Sequence, residues 1–362
     1  MTGQTAVVYS EAFFGTPDGK TANGLVRFSE KYEILAVIDS TKAGLDAGEY
    51  LDERPNGIPI CADLEAVIAA CGYVPDFFII GVAPLSGMLS PRERGVVLEA
   101  MGRGMSIVNG LHEFLNDDLE FTAAAATNGV RLLDVRRPRA KKDLRMFTGR
   151  IDGVTCPRIA VLGTDGAIGK RTTATILTRA LNDRGIRAVL VGTGQTGLIQ
   201  GARFGVALDA IPCQFCSGEM EAAVVAAFEV EHPDVIIIEG QGALSHPAYL
   251  SSTFILRGAR PDAVILQHAP ARRMLGDFPE LPAPTPLSEI ALLRAFAGVE
   301  VIGLTINHED MTDAEVSAAI ILYELELGIP ATDALTRPVT RLVDMVVSAF
   351  PALAARLAPD TV

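Results

Sequence analysis

The chain has 362 residues, 49% of them hydrophobic, and its 31 basic and 44 acidic side chains give a formal net charge of −13. This length predicts two domains, and the acidic surface argues against nucleic acid or an anionic membrane as a partner. No signal-peptide pattern, no apolar run of roughly 18 residues and no disulfide framework of cysteines is present, so we expect a cytoplasmic protein.

The first part of the chain alternates apolar strand patterns with helical ones. Helices are predicted over residues 64–71 and 92–103. Strands are predicted over residues 5–8, 33–38, 77–80, 106–109 and 131–133. This alternation is typical of βαβ units and predicts a Rossmann-like parallel sheet, an α/β fold. The first turn lacks the Gly-x-Gly-x-x-Gly fingerprint, so the sequence gives dinucleotide binding only weak support.

The stretch from Arg136 to Arg145 is the most basic of the chain and contains Pro138. We interpret it as the connection between two domains, either as a solvated linker or as a basic rim that faces an anionic ligand. The predicted domains are a Rossmann-like N-terminal domain over residues 1–145 and a P-loop NTPase-like α/β domain over residues 146–362.

The second part of the chain contains near-continuous apolar runs rather than alternating ones. Such runs favour parallel strands that are covered on both faces of a sheet. Residues 342–357 predict a closing amphipathic helix that breaks at Pro351. Strands are predicted over residues 159–162, 188–191, 235–238, 263–267 and 299–306.

A glycine-rich turn joins the first of these strands to a helix, and we call residues 163–173 the phosphate loop. Glycines let backbone N–H groups converge on one anion, the helix N-terminus adds a positive dipole end, and Lys170 adds a full charge. The predicted cofactor-binding residues are Gly163, Thr164, Asp165, Gly166, Ala167, Ile168, Gly169, Lys170, Arg171, Thr172 and Thr173.

The phosphate loop departs from the common P-loop pattern at Arg171. This residue occupies the position of the Ser or Thr that binds Mg²⁺ in P-loop NTPases. A cation at that position favours a loop that binds a phosphate without hydrolysing it. In the alternative arrangement Arg171 points away and Thr172 serves as the metal ligand.

A carboxylate follows the apolar run 235–238. Glu239 ends this predicted strand, and open α/β sheets bind ligands at that edge. A carboxylate there can hold a metal or act as a base, and the glycines that follow let the backbone approach a substrate. We predict Glu239, His246 and Ser245 as catalytic residues, and Gln241 and Gly242 as substrate-binding residues.

Two further stretches complete the predicted substrate site. Gln195, Thr196 and Gly197 follow the next strand of the same sheet and suit substrate recognition, with a simple flexible turn as the alternative. Arg272 follows a later strand and is a candidate partner for a substrate carboxylate, because guanidinium binds carboxylate in bidentate fashion. Surface solubility is the alternative role for Arg272. No metal site is predicted.

The motifs resemble those of known families. The pattern Gly163-Thr164-Asp165-x-x-x-Gly169-Lys170 resembles dethiobiotin synthetase, as do Glu239-Gly240-x-Gly242 and Gln195-Thr196-Gly197. The whole chain more closely resembles the DgcN family of D-glutamate N-acetyltransferases, once known only as a domain of unknown function. Further matching stretches are residues 20–25, 36–39, 81–84, 110–115 and 134–136.

The DgcN resemblance implies transfer of an acetyl group from acetyl-CoA to the amine of D-glutamate or a related amino acid. The phosphate loop would then hold the CoA phosphates, which need no metal hydroxyl at Arg171. Glu239 or His246 would act as the base. Backbone N–H groups of the turn 240–243 would stabilise the oxyanion, and Arg171 or Arg272 would bind substrate carboxylates.

Two other functions stay open from the sequence. The dethiobiotin synthetase resemblance implies a ligase or kinase that uses ATP and Mg²⁺, and a nucleotide-binding regulatory protein is the third possibility. The arrangement of Glu239, His246 and Gln195 at one sheet edge argues against a purely regulatory role. We expect a small-molecule amino-acid substrate and a homo-oligomer.

Overall fold

The computed structural model describes residues 4–84 and 86–357, whose contacts divide into two units. The first unit contains the residues up to Pro138 together with Gln195–Ala202, and the second contains Arg139–Gly194 and the residues from Arg203 onward. The division therefore falls inside the basic stretch but before Arg145, where the predicted boundary lies. The ends of the two predicted domains, residues 1–3 and 358–362, lie outside the described residues.

The first unit is built on a six-stranded parallel sheet with helices between its strands. Its strands are β1 (Gln4–Tyr9), β2 (Tyr32–Ile38), β3 (Ile60–Cys61), β4 (Phe77–Ile80), β5 (Ser106–Asn109) and β6 (Leu132–Asp134), and its helices are α1 (Lys20–Arg27), α2 (Ala47–Asp52), α3 (Leu64–Cys71), α4 (Pro91–Gly102) and α5 (Leu119–Asn128). The strand order β3-β2-β1-β4-β5-β6 is that of doubly wound dinucleotide-binding sheets. The Rossmann-like prediction is confirmed.

Local signals explain where the helices of this unit begin and end. Asp63 caps α3 by accepting the N–H of Ala66, and Gly72 ends the helix with a left-handed φ of 77°. At α4, Ser90 and Glu93 form a reciprocal capping box. These caps fix the helix ends close to the predicted positions.

Asp39 stands at the ribose-binding position of the first sheet, and its carboxylate is bound by groups of its own chain. Asp39 follows β2, and its carboxylate accepts the N–H groups of Phe14 and Thr41 and the ammonium of Lys42. In dinucleotide-binding sheets an acidic residue at this place bonds the ribose. Asp39 instead holds the turns after β1 and β2 in place.

The second unit is built on a seven-stranded parallel sheet and a small two-stranded ribbon. Its strands are β7 (Arg158–Gly163), β8 (Ala188–Gly192), β9 (Phe204–Gly205), β10 (Val235–Glu239), β11 (Ala263–His268), β12 (Met274–Leu275), β13 (Phe278–Pro282), β14 (Glu300–Ile306) and β15 (Ala331–Thr332). The helices of this stretch are α6 (Lys170–Asp183), α7 (Gln195–Gln200), α8 (Cys213–Glu231), α9 (Ser251–Ala259), α10 (Pro286–Ala297), α11 (Asp313–Leu327) and α12 (Thr340–Ala349). Helix α7 groups with the first unit.

The strand order β15-β14-β11-β7-β10-β8-β9 places β7 at the centre of the second sheet. Every residue of β10 and β11 is buried, as expected for strands covered on both faces. The carboxyl ends of β7, β10 and β11 lie side by side, and the phosphate loop leaves from the middle one. Helix α12 ends before Pro351, and a 3₁₀ helix (Pro351–Arg356) follows it, so the predicted break is confirmed.

Candidate functional site

The phosphate loop turns sharply between β7 and α6. Ala167 and Gly169 adopt positive φ angles of 51° and 95°, in the left-handed region that is costly for a residue with a Cβ atom such as Ala167. Left-handed residues within such a turn direct successive backbone N–H groups toward one side, forming an anion-binding concavity. The N-terminus of α6, a helix of 14 residues, adds its dipole to the same place.

Lys170, the first residue of α6, lies within the phosphate loop. The side chain is buried, and its ammonium group donates a hydrogen bond to the main-chain carbonyl of Asp165. A buried ammonium beside a turn of convergent backbone N–H groups adds positive charge where an anion would bind. Thr172 and Thr173 are also buried in the first turn of the helix.

Gln267 attaches the phosphate loop to β11. Its Oε1 accepts the hydroxyls of Thr173 at 2.6 Å and Thr305 at 2.5 Å, and its main-chain oxygen accepts the N–H of Thr164 at 3.0 Å. The hydroxyl of Thr173 therefore supports the loop. The neighbouring His268 holds the hydroxyl of Thr164 at 2.9 Å from its Nδ1.

His268 also lies 3.0 Å from the hydroxyl of Tyr323 through its Nε2. Burial lowers the pKa of His268 to about 4, so this histidine is neutral at physiological pH. Its two hydrogen bonds connect the phosphate loop to helix α11, which carries Tyr323.

Arg272 braces the phosphate loop instead of facing outward. Its Nη1 donates to Asp165 and to the carbonyl of Gly166, both at 2.9 Å, and its Nε and Nη2 bind both carboxylate oxygens of Glu309 at 2.7 and 2.9 Å. Four of its five N–H groups are used by these bonds. Little donor capacity is left for the predicted role in substrate binding.

Glu239 ends β10, the strand next to β7, and is buried. Its carboxylate accepts the N–H of Thr193 at 3.0 Å and a further backbone N–H from Gly194. Burial raises the pKa of Glu239, while the charges of Arg171 and Lys170 act in the opposite direction. A buried carboxylate with a raised pKa beside an anion-binding loop is a candidate general base.

His246 is buried, and its hydrogen bonds indicate which tautomer it adopts. Its Nδ1 accepts the backbone N–H groups of Ala248 and Tyr249, both at 3.2 Å. We therefore assign the proton to Nε2, which lies 3.9 Å from Asp165 Oδ1 and has no hydrogen-bond partner among the described residues. Burial lowers the pKa of His246, so a neutral ring donates from Nε2.

Three other predicted residues, Gln241, Gly242 and Ser245, make local contacts within the second unit. Gln241 donates to the hydroxyl of Thr193 at 2.9 Å, and Gly242 has its carbonyl bound by Ser252. Ser245 is exposed, and its backbone N–H donates to Glu289 at 3.3 Å.

The predicted turn 195–197 forms the start of helix α7, which belongs to the first unit. The hydroxyls of Thr196 and Thr21 share a hydrogen bond of 2.9 Å. Gln195 packs against Gly110 so closely that a Cβ atom added to this glycine would lie 3.1 Å from the Cγ of Gln195. The structure therefore does not group Gln195, Thr196 and Gly197 with the residues of the phosphate loop.

The ribbon β12–β13 contacts the site, although the sequence predicts neither of its strands. Gly276 N–H donates to Asp165 at 2.9 Å, and Asp277 accepts the hydroxyl of Tyr249 at 2.5 Å. The ring of His246 stacks on Tyr249, with 4.3 Å between centroids, and lies 5.7 Å from Phe278. β13 has the sequence Phe-Pro-Glu-Leu-Pro, and its two prolines argue against a strand when the sequence is considered alone.

Residues 4–84 and 86–357 include no helix with both the length and the apolar character of a membrane span. The same residues contain no cluster of three or more His, Cys, Asp or Glu side chains placed to hold a metal ion.

Comparison with protein families decides the classification. The P-loop domain of a domain of unknown function, DUF1611, matches residues 145–343, and its Rossmann-like N-terminal domain matches residues 40–138. The chain belongs to the DUF1611 family. A crystal structure of a DUF1611 family protein from Anabaena variabilis ATCC 29413 is 31% identical to this chain and superposes with a TM-score of 0.87, covering 96% of this chain and all of that one.

Two curated relatives of this DUF1611 chain carry the name D-glutamate N-acetyltransferase. The one from Tritonibacter scottomollicae is 34% identical over 74% of this chain and 79% of its own length. The one from Pseudoalteromonas sp. is 32% identical over 74% of this chain and 80% of its own length. The predicted family is confirmed, and the enzyme class of this DUF1611 chain is N-acetyltransferase.

We expect the rings of His246 and His268 to stay neutral to lower pH than an ordinary histidine, because burial lowers the pKa of His246 and lowers that of His268 to about 4. The chain has only five histidines, so ¹⁵N-histidine NMR with single substitutions can assign them. At pH 8 the His246 signals should show the pattern of an Nε2–H tautomer. A neutral ring with its proton on Nδ1, or a ring that titrates above pH 6.5, would contradict the assignment.

We expect Arg272→Lys to destabilise the second unit by about 1–3 kcal/mol, because lysine cannot replace the paired bonds to Glu309 and the bond to Gly166. Thermal unfolding followed by circular dichroism measures this effect. Arg273→Lys, at the exposed neighbouring position, is the matched control. An Arg272→Lys protein with unchanged stability but a much higher KM for the amino acid would instead support the substrate-binding role.

Proposed function

We propose that the second unit binds acetyl-CoA at the phosphate loop and transfers the acetyl group to the amine of D-glutamate or a related amino acid. The observation that carries the proposal is the buried carboxylate of Glu239 beside an anion-binding loop. The names of the two relatives support D-glutamate as the acetyl acceptor and N-acetyl transfer as the reaction.

The chemistry of the loop fits a phosphorylated carrier. Coenzyme A carries a pyrophosphate and a 3′-phosphate, and the left-handed turn, the N-terminus of α6 and Lys170 together offer N–H donors and positive charge. Arg171 adds a second cation where a Mg²⁺-binding hydroxyl would otherwise stand. The loop therefore has the donors and charge needed to bind these phosphates without a metal ion.

Glu239 is the proposed general base. As the neutral amine attacks the thioester carbonyl, a C–N bond forms, the C–S bond breaks and Glu239 accepts the amine proton. Glu239 then gives this proton to the departing sulfur, which leaves as the CoA thiol, and the carboxylate is regenerated. A raised pKa makes this carboxylate a stronger base than an ordinary glutamate at the surface.

His246 suits a hydrogen-bond donor better than a base. Its Nδ1 is engaged by two backbone N–H groups, so it presents an N–H at Nε2 in a buried position. We propose that this N–H binds an oxygen of the acetyl donor, where it would stabilise negative charge. The alternative role as general base would require the ring to exchange tautomers and break both bonds.

A ligase or kinase that uses ATP and Mg²⁺ is the second candidate. Two carboxylates near the loop, Asp165 and Glu239, favour it, because carboxylates bind Mg²⁺. Asp165 is less suited to that role, since its Oδ2 already accepts bonds from Arg272 and Gly276. The acyltransferase therefore agrees better with the contacts of the loop.

We expect Glu239→Gln to lower kcat by about 10²- to 10⁴-fold, because the amide cannot accept the amine proton. Release of the CoA thiol, followed with purified protein, acetyl-CoA and D-glutamate, measures the rate. The KM for acetyl-CoA should change little.

The wild-type rate should rise with pH through a pKa above the ordinary 4.5 of glutamate, since the carboxylate must be ionised to act. Glu280→Gln, on the exposed strand β13, is the control and should retain wild-type activity. A Glu239→Gln protein within tenfold of the wild-type rate would rule out Glu239 as the base. Wild-type protein that releases no thiol with D-glutamate or related amino acids would rule out the reaction.

A further inference from the structure

Two side-chain amides face the phosphate loop with their NH₂ groups. A Cβ atom added to Gly169 would lie 3.8 Å from Nε2 of Gln267 and 3.9 Å from Nδ2 of Asn307, so both amides lie beside the same part of the loop. Within residues 4–84 and 86–357 no hydrogen bond uses either of these nitrogen atoms. Gln267 is only 2% exposed, and most polar atoms in such buried positions have a partner. The two unused donor groups therefore indicate a place for a ligand.

The backbone fixes the orientation of the Asn307 amide. The N–H of Glu309 donates to Oδ1 of Asn307 at 2.9 Å. Because a backbone N–H can only donate, the atom opposite it is the oxygen, and the NH₂ group lies on the side of Gly169. The main-chain N–H of Asn307 also donates to the carbonyl of His268 at 2.7 Å. This amide is held in place before a ligand arrives, which lowers the entropic cost of binding.

The two amides lie on the opposite side of the phosphate loop from Glu239. In the second sheet β11 and β14 follow β7 on one side, whereas β10 flanks β7 on the other. Neighbouring strands are about 4.8 Å apart, so roughly 14 Å separates β10 from β14. A long ligand whose phosphates occupy the loop can therefore extend one end toward Glu239 and the other toward Asn307.

The charges around Asn307 favour an uncharged ring over a further phosphate. Glu309 and Asp165 share the single guanidinium of Arg272. The carboxylate of Asp333 lies 2.6 Å from Nδ1 of His308. Carboxylates thus outnumber the paired cations at this end of the site, and a phosphate would be repelled where a neutral base would not.

The amide of Asn307 has the groups that recognise adenine. Its NH₂ group is an unused donor, and Oδ1 keeps a second lone pair beside the one that accepts the N–H of Glu309. A side-chain amide with a donor and an acceptor pairs with N7 and the N6 amino group of adenine. Asn307 is only partly buried, so a ring can reach it.

We propose that Asn307 binds the adenine ring of a nucleotide whose phosphates lie on the phosphate loop, and that Nε2 of Gln267 donates to an oxygen of the same nucleotide. The identity of this nucleotide rests on the proposed function. In acetyl-CoA the adenosine end would lie over β11 and β14, and the acetyl end would extend toward Glu239. ATP would bring the same adenine, so the two ligands are titrated separately.

Calorimetric titration of Asn307→Ser tests this site. Serine keeps an oxygen that can accept the N–H of Glu309, adds no charge and removes the NH₂ group. CoA should bind the variant about tenfold or more weakly than wild-type protein, since a bidentate contact to the base is lost. 4′-Phosphopantetheine, the part of CoA without adenosine, should displace CoA from both proteins with affinities within about threefold of each other.

The matched control is Asp310→Asn, at an exposed position of the same loop, which should bind CoA within about threefold of wild-type protein. Equal weakening of CoA and 4′-phosphopantetheine by Asn307→Ser would overturn the inference, because Asn307 would then only support the loop. A variant that binds CoA as wild-type protein does would also overturn it, as would wild-type protein that binds neither CoA nor Mg-ATP.

Failure of the proposed reaction gives a different result. Wild-type protein that binds Mg-ATP and not CoA, with this binding weakened about tenfold by Asn307→Ser, would support the adenine site and contradict acetyl transfer. CoA binding that Asn307→Ser weakens as expected, together with no release of thiol from acetyl-CoA and D-glutamate, would lead to the same conclusion.

Discussion

The position of the phosphate loop depends on Gln267. This one residue of β11 accepts hydrogen bonds from the first turn of α6, from β14 and from the backbone at the start of the loop. The side chain is buried, so its amide oxygen is fully used within the protein and the bonds are shielded from water. The carboxyl ends of β7 and β11 are thereby locked together, and the N-terminus of α6 is fixed at the same edge of the sheet.

The charges around the loop are arranged in a definite way. Asp165 and Glu309 both pair with Arg272, so one guanidinium is shared by two carboxylates. The negative charge of Glu239 is stabilised by the charge of Arg171, by the backbone N–H groups of Thr193 and Gly194, and by the charge of Lys170. Since burial still raises its pKa, Glu239 is the carboxylate of this region that is suited to proton transfer.

Much of the fold could be predicted from the sequence, because long apolar runs and helix caps are local signals. Strands β4 and β5 and helix α3 have the predicted bounds, and the strand–loop–helix context of the phosphate loop is sufficient to find it. Strands β3 and β15 cannot be predicted from the sequence, because each has only two residues and so shows no periodicity. The start of helix α7 resembles a turn in the sequence, because its first three residues are Gln195, Thr196 and Gly197, which are typical of ligand-binding loops.

The hydrogen bonds of the site are harder to predict from the sequence than its strands and helices. The tautomer of His246 depends on two backbone N–H groups whose direction no pattern encodes. The bracing role of Arg272 depends on Asp165 and Glu309, which are distant in the sequence and meet only in the folded sheet. Predictions of residue position were therefore more successful than predictions of what each side chain bonds.

Calorimetric titration can show whether the loop around Lys170 binds the phosphates of an acetyl donor. The protein is titrated first with acetyl-CoA and then with ATP and Mg²⁺, and the Lys170→Ala variant is titrated with acetyl-CoA. We expect acetyl-CoA to bind wild-type protein and to bind the variant at least about tenfold more weakly, since a buried charge on the phosphates is lost. Clear binding of Mg-ATP without binding of acetyl-CoA, or a variant that binds acetyl-CoA as wild-type protein does, would contradict the proposed role of the loop.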